Sequence, residues 1–213
     1  MDTGQAAGNE GGAGGVAGLL DAAVMAELRR RHAEPHRQLG TWVDLGERLA
    51  LAEEVLNGIA DKGAFILALL FRDAVREPGR ADNAARSIEL LRVLLAPTVP
   101  RRRLDRAAAL IRAADRLEAP QTDDPSLRGD AALFLDIDAA ILGADPARFD
   151  AYEAAHRREH AHLRDDAYNA GRSAALQMLL WRDRLYRTDR FYLEREKRAR
   201  RNIERTIARL RGG

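Results

Sequence analysis

Apolar residues recur along this chain at helical spacing, and no segment alternates strictly between apolar and polar positions. Leu20, Val24 and Leu28 share one face of a first helix, and residues 64–71 read AFILALLF, a wholly apolar run. A repeat of three or four residues is typical of a helix with one buried face, whereas strict alternation is typical of a strand. The run at 64–71 is far shorter than the roughly 20 residues of a membrane-spanning helix, so we expect a buried core helix there.

The pattern predicts an all-α protein, a single compact bundle of about eight helices. Proline and glycine breaks, together with aspartate and threonine caps such as Asp82, Asp145 and Thr188, set the predicted boundaries. The approximate ranges are 19–31, 42–60, 63–76, 83–95, 101–118, 131–142, 146–164, 166–185 and 189–210. Residues 119–130 are predicted to be the one long irregular connection, and a connection of that length can border a pocket.

The ends of the chain differ in character from its middle. Residues 1–17 are rich in glycine and alanine, which predicts a flexible tail, and residues 18–213 are predicted to form one helical domain that ends in a basic helix. The start lacks the basic and apolar regions of a signal peptide, so we expect a soluble, cytoplasmic protein without membrane association. The chain has no cysteine, which excludes disulfides and thiolate metal sites.

Charge is nearly balanced overall but not locally. The formal net charge is +2, so composition does not indicate a general binder of polyanions. Residues 182–211 nevertheless contain 12 lysines or arginines against 5 acidic residues. The two signs are mixed at helical spacing, which favours a solvated, salt-bridged face. The alternative is a surface for nucleic acid or another anionic partner, and we do not expect nucleic acid to be the partner.

Three aspartates occur where the helical pattern calls for apolar residues. Asp73 follows the apolar run, and Asp136 and Asp138 lie within FLDIDAAILG. Residues two apart on a helix point about 200° from each other, so only one of the latter pair can face a given pocket. A buried carboxylate requires a cation, a metal or hydrogen-bond donors. Local partners at a helix surface could explain each aspartate taken alone, but two such segments in one chain favour a shared polar pocket.

Residues 156–160 read HRREH and fit the H-x-x-E-H pattern of inverted zinc proteases. The segment is charged throughout, and no third ligand is evident in the sequence. We therefore do not infer a protease.

The order of several short segments carries more information than any one of them. EPHR, FRDAV, DNAARS, FLDIDAAILGA, YEAAHRREH, AGR and RARRNIE follow one another between about residues 19 and 210. In this order they resemble the small bacterial family of predicted metal-dependent phosphohydrolases of the HD superfamily. The resemblance implies an HD-domain-like helical bundle that surrounds a metal site for phosphoester hydrolysis.

The chain departs from the family pattern at the metal ligands. Gly40 and Asp44 stand where the pattern has two histidines four residues apart, and Arg72-Asp73 stands where it has the histidine-aspartate pair. The threonine and histidine expected further on are replaced as well. The carboxylates and nearby groups that remain are Asp73, Asp138, Glu34, His36 and Arg37.

These departures change the expected chemistry. Glycine cannot ligate a metal, and a permanently charged arginine repels a divalent ion. Arg72 could instead neutralise Asp73 and Asp138 by bidentate hydrogen bonds. We therefore expect a degenerate HD-phosphohydrolase-like protein, without metal or other cofactor, whose polar pocket binds an anionic small molecule such as a nucleotide or a phosphorylated metabolite.

The candidate residues follow from the matched segments. Each arginine has the alternative of pairing structurally with an acidic neighbour, and His36 is either an acid-base group or a structural hydrogen-bonder. The expected catalytic candidates are His36 and Asp73; the expected anion contacts are Arg37, Arg72, Arg157, Arg172 and Arg200; the expected pocket residues are Glu34, Asp44, Asp138 and Glu159.

Two other functions remain open at this point. The first is an active phosphohydrolase with a rebuilt site, in which Asp44, Asp73 and Asp138 with His36 would hold Mg²⁺ or Mn²⁺. The second is an interaction protein that acts through its basic C-terminal helix.

Overall fold

The computed structural model describes residues 20–212, and these form nine α-helices and no β-strand. The predicted all-α fold is confirmed, whereas the predicted tail at residues 1–17 lies outside the described residues. Two short 3-10 helices, Leu56–Gly58 and Ala140–Gly143, follow the second and the sixth α-helix. The helices are α1 (Ala22–His32), α2 (Trp42–Glu54), α3 (Lys62–Phe71), α4 (Asn83–Leu95), α5 (Arg101–Arg116), α6 (Pro125–Asp138), α7 (Pro146–Glu159), α8 (Asp165–Leu180) and α9 (Asp189–Gly212).

The apolar helix α3 is buried on all sides. Every residue from Ala64 to Phe71 is buried, and the helix packs most extensively on α5. The facing side of α5 combines the large side chains of Leu104 and Ile111 with buried alanines such as Ala108, and small residues let two helices approach closely. The predicted core helix is therefore confirmed. Within residues 20–212, no helix is both long enough and apolar enough to cross a membrane.

The long helix α9 packs on α8 and on the 3-10 helix after α6. Gly143 allows the second contact, because a Cβ there would lie only 2.8 Å from the Cβ of Arg195 and 3.0 Å from the Arg195 carbonyl oxygen. The side-chain amide of Asn202 donates to the carbonyl oxygens of Leu142 and Ala144, both at 2.9 Å. These contacts fix one face of α9 against the end of α6.

The start of α6 corrects the prediction for residues 119–130. That segment is not wholly irregular, because α6 begins at Pro125. The carboxylate of Asp124 accepts hydrogen bonds from the backbone amides of Ser126 (2.9 Å) and Leu127 (3.2 Å). An aspartate cap followed by proline is a favourable helix start. The helix also ends at Asp138, so the predicted range 131–142 is displaced at both ends.

The end of α3 corrects the prediction for residues 63–76. The helix ends at Phe71, and Asp73 lies in the turn that follows. In this turn the carbonyl oxygens of Asp73 and Ala74 accept hydrogen bonds from the guanidinium of Arg37, at 2.5 and 3.0 Å. These bonds come from a residue more than thirty positions away, and they take the place of further helical hydrogen bonds.

Other predicted boundaries differ by a few residues. The second, seventh and eighth helices end five or six residues earlier than predicted, and α9 runs two residues further. Two predicted caps make no capping bond, since Asp82 pairs instead with Arg80 and Asp145 with Arg198. Side-chain pairing has replaced local capping at these positions.

Candidate functional site

The turn after α3 presents the buried carboxylate of Asp73, which is 5% exposed. One carboxylate oxygen lies 2.8 Å from Nη2 of Arg48, and the other accepts hydrogen bonds from Arg72 and, at 3.4 Å, from Arg76. Burial alone would raise the pKa of Asp73, but the three guanidiniums, Arg72 foremost, hold it well below its usual range. Asp73 is therefore an anion enclosed by cations.

Asp138, the last residue of α6, joins the same cluster. Its Oδ2 accepts a hydrogen bond from Nη2 of Arg72 at 3.0 Å, and its Oδ1 accepts one from Nη1 of Arg48 at 3.3 Å. Nε of Arg72 also lies 2.8 Å from Oδ1, at an angle that makes this an ion-pair contact rather than a hydrogen bond. Arg48 and Arg72 thus each bridge the two carboxylates.

Asp136 points away from this cluster, which settles the choice that the sequence left open. Its carboxylate accepts hydrogen bonds from the backbone amides of Arg187 (2.6 Å) and Thr188 (2.8 Å) and from the Thr188 hydroxyl (2.7 Å). It therefore fixes the connection that leads into α9, and Asp138 is the member of the pair that faces the cluster.

Arg72 is the cation at the centre of the cluster. Burial alone would lower its pKa, but the carboxylates of Asp138 and Asp73 raise it above the ordinary arginine value. The side chain therefore carries its charge permanently. Its guanidinium lies between the two carboxylates and contacts both.

The EPHR corner supports this turn from behind. Arg37 is buried and donates to the carbonyl oxygens of Asp73, Ala74 and Gly40, while its Nε lies 3.1 Å from the carboxylate of Glu34. Nε2 of His36 lies 2.7 Å from the carbonyl oxygen of Arg76. Arg37 and His36 hold backbone in place and Glu34 pairs with Arg37, and none of these three predicted site residues lines the adjoining cavity.

Gly40 contacts Asp73 so closely that no side chain fits between them. Its φ angle is +62°, and a Cβ would lie 3.0 Å from the Cβ of Asp73 and 3.2 Å from Cδ of Arg76. A histidine, which the resemblance implied for this position, would displace the aspartate. Asp44, the second such position, caps α2 at Thr41 and pairs with Arg148 at 2.8 Å.

A cavity of about 560 Å³ opens beside the cluster. It lies between α2, the turn after α3, the end of α6 with its 3-10 helix, the start of α7, and α9. Six arginines and five carboxylates line it. These are Arg48, Arg72, Arg76, Arg148, Arg195 and Arg198, and Asp44, Glu47, Asp73, Asp138 and Asp145.

Each of the five carboxylates is already paired with a guanidinium. Besides the cluster, Arg148 pairs with Asp44 and Glu47, and Arg198 lies 3.3 Å from Asp145. Of the six arginines, Arg195 has no ion pair and no hydrogen bond with any residue that the structure describes, and its buried Nε is without a partner. The lining therefore has one arginine more than it has carboxylates, and Arg76 is paired in addition with Glu159, which does not line the cavity.

The structure does not bring the remaining predicted anion contacts to the cavity. Arg157 donates to the carbonyl oxygen of His160 at 2.7 Å and pairs with Asp165, and Arg172 pairs with Glu153 at 2.5 Å. Arg157 lies on α7 and Arg172 on α8, and their pairs with Asp165 and Glu153 link these two helices.

Arg200 and Glu159 are also structural. Arg200 pairs with Glu196 at 2.7 Å and donates to three carbonyl oxygens at and after the end of α8. Glu159 pairs with Arg76 at 2.7 Å and accepts hydrogen bonds from the backbone amides of Gln38 and Leu39. These residues therefore pair structurally with their neighbours, which is the alternative that the sequence left open for the arginines.

The HRREH segment forms a stack of aromatic rings at the end of α7. The ring centroids of His156 and His160 are 4.4 Å apart, and Nδ1 of His156 lies 3.0 Å from the hydroxyl of Tyr168. Burial, with nearby Arg172, lowers the pKa of His156 to about 3. No residue of the segment lines the cavity.

The donors that the family resemblance implied do not fit a divalent metal in this arrangement. Within residues 20–212 there is no group of three or more histidine, aspartate or glutamate side chains that could hold a metal ion. Asp73 and Asp138 turn their oxygens to guanidiniums, and Asp44 turns its oxygens to Thr41 and Arg148.

Sequence reasoning missed Arg48, Arg76, Arg148, Arg195 and Arg198. A signal existed for two of them, since Arg195 and Arg198 lie on one stripe of α9 with the buried Phe191 and Asn202, at intervals of three or four residues. Arg48 and Arg148 carry no comparable signal, because many exposed arginines on amphipathic helices have the same local pattern.

Comparisons with protein-family models, with curated proteins and with solved structures give no match for this chain. The resemblance to HD phosphohydrolases therefore stays a prediction.

Proposed function

We propose that this protein binds a small anionic molecule, such as a nucleotide or a phosphorylated metabolite, in the cavity beside Asp73 and Asp138. The observation that carries the proposal is the charge balance of the lining, in which all five carboxylates are paired and one arginine is left over. An incoming anion would therefore meet guanidinium groups without having to displace a carboxylate from its partner.

The size and lining of the cavity support a ligand of this class. Its volume of about 560 Å³ lies within the range of about 300–1,000 Å³ that is usual for small-molecule sites. Apolar side chains, among them Leu51, Ile137 and Ile141, line it together with the charged groups. An anionic group with an organic body would find partners for both of its parts.

We propose further that binding occurs without metal-dependent hydrolysis. Arg72 supplies positive charge between Asp73 and Asp138, where an HD-type site would have its metal. A guanidinium neutralises carboxylates but does not lower the pKa of water in the way that a metal ion does. In this proposal the protein descends from HD-like hydrolases, has kept the pocket and has lost the reaction.

The test is a binding titration of chelator-treated protein with nucleotides, sugar phosphates and dicarboxylates, measured by calorimetry. Ala144→Glu places a negative charge in the cavity lining, and Ala170→Glu makes the same change on the exposed surface of α8. We expect the first substitution to weaken anion binding about tenfold or more, and the second to leave it unchanged.

Two results would contradict the proposal. One is that none of the anions binds the wild-type protein at millimolar concentration. The other is turnover of a phosphate ester with added Mg²⁺ or Mn²⁺ that Asp73→Ala abolishes, which would favour the alternative of a working phosphohydrolase.

A further inference from the structure

Arg195 stands apart from the other cavity arginines. The other five each contact a carboxylate, whereas Arg195 has neither an ion pair nor a hydrogen bond with the residues described. Its Nε is buried and has no partner, and its guanidinium carbon lies 5.7 Å from the ring centroid of Phe191. The buried Nε is closed off from solvent, whereas the two Nη nitrogens make no hydrogen bond with the described residues and are not buried, so an anion in the cavity can contact them.

The backbone around Arg195 is held firmly in place. Its Cβ and carbonyl oxygen pack against Gly143 with no room for a side chain on the glycine. One turn further along α9, Nε of Arg198 donates to the carbonyl oxygen of Gly143 at 2.6 Å, and its Nη1 lies 3.3 Å from Asp145. The two arginines therefore extend from neighbouring turns of one fixed helix into the same cavity.

We infer that Arg195 and Arg198 bind the phosphate group of a phosphate monoester, and that the organic part of the ester lies against Ala140, Ile141 and Ala144. This inference rests on the proposed function and adds the ligand class and the contact residues. A guanidinium presents its donors in a planar fork that matches phosphate oxygens. Arg195 has all of its donors unused, and Nη2 of Arg198 is unused as well.

Arg195 was not among the sequence candidates, and the ion pairs explain why Arg195 rather than Arg200 is assigned here. The two residues lie five positions apart on α9, but Arg200 has Glu196 one turn before it and three carbonyl oxygens within reach. Arg195 has no such partners. An anion that binds at Arg195 would be its first charged partner. An anion that binds at Arg200 would have to compete with the partners that Arg200 already has.

The experiment compares Arg195→Gln with Arg201→Gln, which removes the same charge from an exposed position of α9 that makes no ion pair or hydrogen bond with the described residues. Binding of inorganic phosphate, of a nucleoside monophosphate and of the parent nucleoside is measured by calorimetry. Arg195→Gln should weaken both phosphate-containing ligands about 10- to 100-fold, while Arg201→Gln leaves both unchanged. Arg195→Lys keeps the positive charge but loses the planar fork of donors, so its phosphate affinity should lie between those of Arg195→Gln and Arg201→Gln.

The outcomes separate this inference from the proposed function. Equal phosphate affinity in wild type and Arg195→Gln overturns the inference, and so does a wild type that binds dicarboxylates but not phosphate; in both cases the anion-binding proposal stands. A wild type that binds neither phosphates nor dicarboxylates overturns both. Because neither Arg195 nor Arg201 makes an ion pair or a hydrogen bond with the described residues, Arg195→Gln and Arg201→Gln should unfold close to the wild-type denaturant concentration.

Discussion

At the scale of single residues, the arrangement of Arg72 with Asp73 and Asp138 explains why charged groups persist beside an apolar core. Two neighbouring carboxylates in a largely desolvated cluster repel each other unless cations neutralise them, and here Arg48 and Arg72 each contact both Asp73 and Asp138. The arrangement is stable only as a set, because removal of one cation leaves buried negative charge without compensation.

Arg72→Met tests this dependence on the complete set. The variant keeps much of the side-chain volume but removes the cation between the carboxylates, so we expect a loss of about 3 kcal/mol in the free energy of unfolding. Arg80→Met is the matched control, because Arg80 pairs with Asp82 at an exposed position where both side chains are about half exposed. Denaturant unfolding should show little or no change for the control. If Arg72→Met and Arg80→Met lowered the free energy of unfolding equally, burial would not determine how much an ion pair contributes to stability.

The pH dependence of stability tests the charge of Asp73. Its pKa is lowered well below the ordinary value on folding, so its charged form stabilises the folded state above about pH 4, and this stabilisation is lost as the pH falls through the folded-state pKa. The difference in unfolding free energy between wild type and Asp73→Asn should therefore be largest at neutral pH and should shrink below about pH 4. Denaturant unfolding at pH 7, 5 and 3.5 measures it, and a constant difference would contradict the assignment.

The residue scale also marks what the sequence could and could not reveal. The mismatch between aspartate and its apolar surroundings predicts that Asp73 and one of Asp136 and Asp138 share a polar pocket, and in the structure Asp73 and Asp138 lie in one cluster of arginines. The partners themselves come from other parts of the chain, such as Arg48 for Asp73 and the backbone of residues 187–188 for Asp136. No local pattern contains that information.

At the scale of elements, the apolar stripes determine where helices form, whereas contacts with residues distant in sequence determine where helices end. The end of α3 depends on Arg37, and the two carbonyl oxygens that its guanidinium binds lie 36 and 37 residues away. The start of α6 was readable, since Asp124 and Pro125 form an ordinary cap and first position.

The contact between α9 and the 3-10 helix Ala140–Gly143 yields an element-scale prediction. In Gly143→Ala the new methyl group would meet the Cβ and carbonyl oxygen of Arg195 at 2.8 and 3.0 Å, so α9 must shift. We expect a loss of about 1–3 kcal/mol in stability. In Gly171→Ala the methyl group meets nothing within 4 Å on α8, and the higher helix propensity of alanine should add about 0.5–1 kcal/mol.

Thermal or denaturant unfolding of the two alanine variants gives opposite signs if the contact is as described. A neutral or stabilising Gly143→Ala would show that α9 is not seated tightly at this position. The same variant should also weaken anion binding, because Arg195 and Arg198 would move with the helix.

At the scale of the whole molecule, arginine–carboxylate pairs join elements that are distant in sequence. In the basic C-terminal helix, Arg190 pairs with Glu54 at 2.6 Å, Arg198 with Asp145 at 3.3 Å and Arg205 with Asp150 at 2.9 Å. Much of its positive charge is therefore compensated within the molecule. This agrees with the interpretation of a salt-bridged face, and it leaves Arg195 as a cation that faces the cavity without a carboxylate partner among the described residues.

The fold could be predicted from the sequence because helical periodicity is local. The candidate site could be predicted only in part, because the cavity is built from five separate regions of the chain. The aspartates were recognisable as anomalies on apolar segments, whereas Arg48 and Arg148 look like any exposed arginine until α2, α6 and α7 are placed beside one another.

The central claim is that a guanidinium occupies the position between Asp73 and Asp138 and that the anion binds beside it. A crystal structure of the protein grown with Mn²⁺ and a nucleoside monophosphate tests this most directly, since anomalous scattering locates the manganese. We expect the Arg72 guanidinium between the two carboxylates, phosphate density at Arg195 and Arg198, and no anomalous peak at the aspartates. An anomalous peak bridging Asp73 and Asp138, with Arg72 turned to solvent, would contradict it.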